Sequence, residues 1–280
     1  MSVKLLFVAC ALSAVAGLAS AQTSSHERIG VESADFVVIR PSTFAGFSTS
    51  QDAAGSTKIF VSTNAAVVVE IQNKWHVTAL LPFVAGVSTD TRAPLPAAGA
   101  VGDPLLEVGY TLHAGDWRLG FGAFYQQPFG IWNPYQSQML RISSGSGYPT
   151  IGASIAATRL VDPIVLALRL LAETTLPRQD RFGTSFCPLD LEVMTLATAV
   201  LNSSVALSAS VTNSVHFPTI ENGQPISDYR CRVSAAGSVV FATGESRLTV
   251  GLSKLLSDPA SAVGFDLAYD YAIRFKENTK

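Results

Sequence analysis

Charge is scarce in this sequence. Asp, Glu, Lys and Arg make up 14% of its 280 residues, against roughly 25% in an ordinary soluble domain. That deficit excludes a surface built mainly of solvated charge. It leaves either a large water-excluding core or much surface turned towards lipid. The formal net charge is −2, so neither an acidic nor a basic bias draws the chain to nucleic acid. Histidine is also sparse. His26, His76, His113 and His216 are scattered without ligand spacing, which argues for no metal site and no cofactor. A GxSxG elbow, an HExxH helix and a Walker loop are all missing, and the chain is expected not to be an enzyme.

Long apolar runs are missing once the N-terminus is passed. Residues 1–21 carry Lys4, an apolar stretch from Leu5 to about Leu18, and Ala19-Ser20-Ala21 before Gln22. This is the layout of a secretory signal peptide. Its apolar stretch is shorter than the ~18–20 residues a spanning helix needs, and no later segment qualifies. The rest of the chain is expected to be exported without a helical anchor. Cysteine numbers three, and only Cys187 and Cys231 lie beyond the signal peptide. Export makes a disulfide between them chemically permissible.

What the chain does have is alternation. From Val263, the residues Val263, Phe265, Leu267, Tyr269, Tyr271, Ile273 and Phe275 fall on one side of an extended strand, and Gly264, Asp266, Ala268, Asp270, Ala272 and Arg274 on the other. Successive side chains of a strand point to opposite faces. A half-buried soluble strand alternates over about 4–8 residues, whereas a strand crossing a bilayer needs about 9–11. Similar segments precede it at 36–47, 58–71, 75–87, 101–112, 117–127, 148–158, 164–176, 189–201, 205–216, 229–241 and 247–256. The connections after Ile71, Leu112, Thr158, Leu201 and Phe241 are tight, and those in between are mostly longer. Outer-membrane barrels show that rhythm, with an even number of strands. The predicted fold is all-β: a transmembrane antiparallel up-and-down β-barrel of about twelve strands over residues 34–275. Residues 22–33 form a periplasmic lead-in, and residues 276–280 a tail.

Placing one face of each strand inside makes Arg169, Glu173, Asp190, Glu192, Arg230, Arg232, Arg247, Asp266, Asp270 and Arg274 candidates to line the lumen. They could tune a conduit, or simply satisfy one another, because buried charge must be paired. Phe129, Trp132 and Tyr135 lie in a long external loop, either meeting an apolar solute or resting on the membrane interface. Cys187 and Cys231 fall near the external ends of strands separated by one other strand. Such strands are about 10 Å apart, so the candidate disulfide requires the loop before Leu189 to lean across.

The segment Ala66–Phe83, with Ile71-Gln72-Asn73-Lys74-Trp75 and Leu80-Leu81-Pro82-Phe83, carries a resemblance. So do Gly102-Asp103-Pro104-Leu105-Leu106-Glu107-Val108-Gly109-Tyr110, Asp162-Pro163-Ile164-Val165-Leu166 and Arg274-Phe275. Together, and in this order, they resemble the outer-membrane transporters found with phenol meta-pathway degradation genes, which are similar to the long-chain fatty acid transporter group. Phe275 also resembles the terminal signal read by the barrel-assembly machinery, although five residues follow it. The His-x-Ser-Asn-Gly block of an outer-membrane phospholipase is absent. The resemblance implies a bacterial outer-membrane channel or transporter for small solutes, hydrophobic ones among them, whose partners are membrane lipid and, during biogenesis, the assembly machinery. The alternative is a structural or surface-exposed barrel with a filled interior, such as an adhesin or antigen.

Overall fold

The computed structural model describes residues 35–51, 57–72, 74–88, 97–129, 147–180, 183–257 and 263–276. Residues 1–34, Trp132, Tyr135 and the tail beyond Lys276 lie outside the described residues. Twelve long strands follow one another: β1 (Asp35–Gln51), β2 (Thr57–Ile71), β3 (Trp75–Ser88), β4 (Ala97–Val101 continued by Leu105–Ala114), β5 (Trp117–Gln126) and β6 (Thr150–Val161). After them come β7 (Ile164–Thr175), β8 (Asp190–Asn202), β9 (Val205–His216), β10 (Arg230–Thr243), β11 (Ser246–Leu255) and β12 (Gly264–Tyr271 continued by Ile273–Lys276). Each pairs antiparallel with the next, and β1 pairs with both parts of β12, closing the sheet into a barrel.

Five tight turns gather at one end of the barrel. Gln72, Gly115 and Gly244 have positive φ there (50°, 57° and 58°), the conformation that hairpins matching the strand twist demand. The other end carries the longer connections.

Burial alternates along the strands in the sense opposite to a soluble sandwich. Leu166, Leu168 and Leu170 on β7 are exposed, while the alternating Val165 and Ala167 are buried. On β12, Phe265, Leu267, Tyr269 and Tyr271 are exposed while Asp266 and Asp270 are buried. A continuous exposed apolar belt of this kind is a liability in water and a requirement in lipid. Aromatic residues mark its edges. At the tight-turn end Trp75 packs on Tyr110 with ring centroids 4.7 Å apart, and Arg159 lies 5.4 Å over the Trp117 ring. Tyr125 stands on the same face of β5, eight positions further along. At ~3.4 Å per residue and a tilt of ~40°, that separation is about 21 Å along the barrel axis, close to the ~25 Å apolar band of outer-membrane barrels.

Three details depart from the sequence reading, each for a local reason. The closing strand is split at Ala272. Its partner β1 carries Pro41, which has no N–H to give a neighbour; pairing stops at Ile39↔Ile273 and resumes at Ser42↔Asp270. Strand β4 starts earlier than expected, at Ala97, and breaks over Gly102-Asp103-Pro104. There the Gly102 N–H donates to the Pro82 carbonyl (2.7 Å) and the Gln127 N–H to the Pro104 carbonyl (3.0 Å). The connections read as plain loops between β7 and β8 and between β9 and β10 form a small sheet of four short strands, Arg178–Asp180, Gly183–Phe186, Ile220–Glu221 and Gln224–Pro225. The Asn222-Gly223 pair, with φ of 50° and 80°, turns its hairpin, and Asn222 Oδ1 accepts from the Thr184 N–H at 3.0 Å.

Candidate functional site in the barrel interior

The register sorts the interior into transverse rows, because directly paired residues share a face. Nearest the long-loop end, Glu173, Asp190, His216 and Arg230 form one row across β7–β10. The next row holds Leu171, Glu192, Ser214 and Arg232, and the third Arg169, Met194, Thr212 and Ser234. Arg230 is exposed at the rim, and Met194 is among the most buried side chains. His216 Nδ1 lies 3.0 Å from Asp190 Oδ2.

A contact reaches across neighbouring strands on the inner face. Arg169 Nη2 lies 3.8 Å from Glu107 Oε1, although β5 and β6 stand between their strands. The carboxylate can reach inward because Gly122 lies beneath it: a Cβ on Gly122 would stand 2.7 Å from Glu107 Oε1. The same device recurs alongside. His76 lies over Gly109, where a Cβ would come within 2.1 Å of its ring, and Phe124 lies over Gly152, where one would come within 2.3 Å. Large side chains covering glycines on the adjoining strand follow the logic of aromatic rescue in sheets. Glu107 and Phe124 were not read as lumenal from the sequence, and His76 and His216 were weighed there only as metal ligands. Glu107 was within reach, since it sits between the outward Leu106 and Val108.

At the tight-turn end, the Arg247 guanidinium donates to both oxygens of Asp270, Nε to Oδ2 at 2.9 Å and Nη2 to Oδ1 at 2.7 Å. This bidentate geometry is the strong form of a charged pair, and both residues are buried. Nearby, Arg274 Nε donates to Glu245 Oε2 at 2.9 Å. Asp266 differs from all of these. It is 9% exposed, stands opposite Gly46 and Gly251, and among the described residues no cation pairs with it. Among the described residues, no group of three His, Cys, Asp or Glu side chains is placed to hold a metal ion.

The expected bond between Cys187 and Cys231 is not formed: both are free thiols. Cys187 does not lean outward. Its Sγ packs towards Asp190 Oδ1 at 3.4 Å, and Thr175 Oγ1 accepts from its N–H. Cys231 sits opposite Val215, on the outward parity of β10, and is exposed. Burial, reinforced by the neighbouring Asp190 carboxylate, pushes the Cys187 thiol up to about 12. Of the external-loop aromatics, Phe129 is described. It is 71% exposed, and its N–H donates to Asp103 Oδ1 at 2.9 Å. Outside the wall, beside the break in β4, an apolar groove of about 530 Å³ is lined by Ala65, Ala79, Leu81, Leu106 and Tyr125 among others.

No protein-family description and no curated protein matches the sequence. Among solved structures, the COG4313 outer membrane channel from Pseudomonas putida F1 superposes with a TM-score of 0.71 at 12% identity, over 88% of this chain and 100% of that one. The chain has the fold of that outer-membrane channel. More distant are the translocator domain of autotransporter NalP from Neisseria meningitidis (TM-score 0.47, 12% identity, 96% of this chain and 98% of that one) and the NanC porin (0.47, 11%, 84% and 98%). These two add nothing to the comparison.

Proposed function

We propose that this protein resides in a bacterial outer membrane and acts there as a channel or transporter for small solutes, hydrophobic ones among them, without catalytic activity. The observation that carries this reading is the division of one closed wall into two solvents. Its outer face is an apolar belt edged by Trp75, Trp117 and Tyr125, and its inner face carries Arg169, Glu107, Asp190 and Arg247. The likeness to a solved outer-membrane channel supports it, as does the resemblance to transporters associated with phenol degradation. The apolar groove beside β4 favours solutes that partition into lipid. In this reading the tight turns face the periplasm and the small four-stranded sheet faces outward.

A specific observation favours a second reading, a structural barrel with a filled interior: Glu107 and Arg169 cross the interior over Gly122, and His76 and Phe124 lie flat on its wall. Two measurements separate the readings. The folded protein should fractionate with the outer membrane and shift on gels after boiling. In planar bilayers it should conduct, or a deletion strain should lose uptake of an apolar solute. Outer-membrane residence with neither conductance nor an uptake defect would leave the structural reading standing.

A further inference from the structure

Several charges inside this barrel are paired. Arg247 closes on Asp270, Arg274 on Glu245, Arg169 on Glu107, and His216 on Asp190. Asp266 and Ser253 are not held in this way. Asp266 is 9% exposed and Ser253 8%, so each is nine-tenths buried. Among the described residues, neither Asp266 Oδ1 nor Ser253 Oγ has a hydrogen-bond partner within reach. They are neighbours on the inner face of β11 and β12, with Ser253 opposite Gly264 and Asp266 opposite Gly251. The Ser253 hydroxyl is the polar group beside the Asp266 carboxylate, and Oδ1 accepts nothing among the described residues.

The wall around them is built of small residues. Gly251 and Gly264 flank the pair on β11 and β12, Gly46 adjoins it on β1, and Ala236 and Ser238 follow on β10. None can offer a cation. The nearest inner-face cation along β11, Arg247, is held bidentately by Asp270. Further along β12, Arg274 is taken by Glu245. A buried carboxylate without a counter-charge is costly, and folded proteins ordinarily pair it. A buried carboxylate with no cation among the described residues, beside a hydroxyl on a wall of small residues, forms the acceptor set for a small positively charged donor.

We propose that Asp266 and Ser253 form a lumenal subsite for the ammonium group of a small organic amine, with Asp266 supplying the charge and the Gly251–Gly264 wall the room. This rests on the reading of the interior as a solute path. Asp266 supplies the counter-ion, and Ser253 accepts one of the ammonium protons. The rest of the solute lies along the neutral Gly, Ala and Ser surface.

The probe is n-butylammonium, titrated calorimetrically into the full-length protein folded in a non-ionic detergent, with n-butanol and butanesulfonate as neutral and anionic controls. Butylammonium should bind at least about tenfold more tightly than either control. Asp266→Asn should remove that preference by a similar factor, as expected for loss of a charged hydrogen-bond partner. Ser253→Ala should weaken binding less. Asp266→Asn should also keep the heat-modifiable gel shift and unfold at the same or higher denaturant concentration, because it removes an uncompensated buried charge. A structural residue would show the reverse. Binding of butylammonium no tighter than butanol, or unchanged binding by Asp266→Asn, overturns the proposal. The wild-type comparison of the three probes decides the matter even if the variant misfolds. Binding without conductance would retain the subsite and remove the channel reading, and conductance without binding would do the opposite.

Discussion

The interior of this barrel is furnished unevenly. Across β3–β8 the inner face carries His76, Glu107, Phe124, Arg169 and Met194, and glycines at 109, 122 and 152 make space for three of them. Across the middle of β10–β12 it carries Ala236, Ser238, Gly251, Ser253, Gly264 and Asp266. Both walls have the same outward face, an apolar belt of Leu, Val, Ile and aromatics. The inner faces differ because nothing requires a barrel to be filled equally from all sides. Small barrels fill their interiors with side chains. Here one wall carries bulky side chains and the other small ones.

That contrast can be broken, and the largest effect should come from the one strong contact of the sparse wall. Arg247→Met leaves Asp270 buried without its guanidinium and should cost about 3–5 kcal/mol, measured by urea unfolding in detergent. A cost below about 1 kcal/mol would mean that water already solvates the pair. Next, the two faces of the same wall should differ. Leu267→Arg puts a charge on the lipid side and should cost roughly 2–4 kcal/mol near mid-bilayer. Ala268→Arg points inward near Asp266 and should cost much less, and equal costs would refute the register. The two walls should also respond differently to one methyl group. A Cβ at Gly152 meets the Phe124 ring at 2.3 Å and the Ala172 carbonyl at 2.9 Å, whereas at Gly251 the nearest atoms are 3.3 Å away. Gly152→Ala should therefore cost about 1–3 kcal/mol, as overpacking does, and Gly251→Ala less than about 1 kcal/mol. The smallest effect is on reactivity. With its thiol pushed up to about 12, Cys187 presents almost no thiolate at about pH 8. Iodoacetamide should modify Cys231 and spare Cys187 until the pH rises towards that value. Equal labelling of both under those mildly alkaline conditions would contradict the buried setting of Cys187.

The wall of this protein was largely legible from residue order. A strand facing lipid on one side and protein on the other writes its alternation into consecutive residues, as Val263 to Phe275 shows, and tight turns announce themselves by Gly115-Asp116 or Asn202-Ser203-Ser204. Contacts made only by closure were not legible. Glu107 and Arg169 lie sixty-two positions apart, and their meeting depends on the curvature of the two strands between them. The break at Ala272 depends on Pro41 at the far end of the chain. The cysteines misled because spacing places both near one rim, whereas strand parity sends Cys231 outward and the local hydrogen bonds of Cys187 hold it in. Asp266 was visible as one acid among many, and its lack of a partner emerged only once the other described charges had been placed.

The seam between β1 and β12 has a consequence for how the molecule comes into being. Val37 pairs with Phe275 and Asp35 with Lys276, so the first described strand must wait for the last. Until then every intermediate is an open ribbon with two unsatisfied edges, each a template for another chain, and the closing contact joins segments at nearly the greatest sequence separation available, the slowest kind to form. The long β1–β2 and β2–β3 pairings, which run to Gln51↔Thr57 and Lys58↔Ser88, can form early from local sequence. Completion is set by the arrival of β12, whose residues 265–270 and 273–276 both pair with β1. A truncation ahead of Gly264 would spare most of the wall and leave the cylinder unsealed, exposing the aggregation hazard that the finished barrel removes.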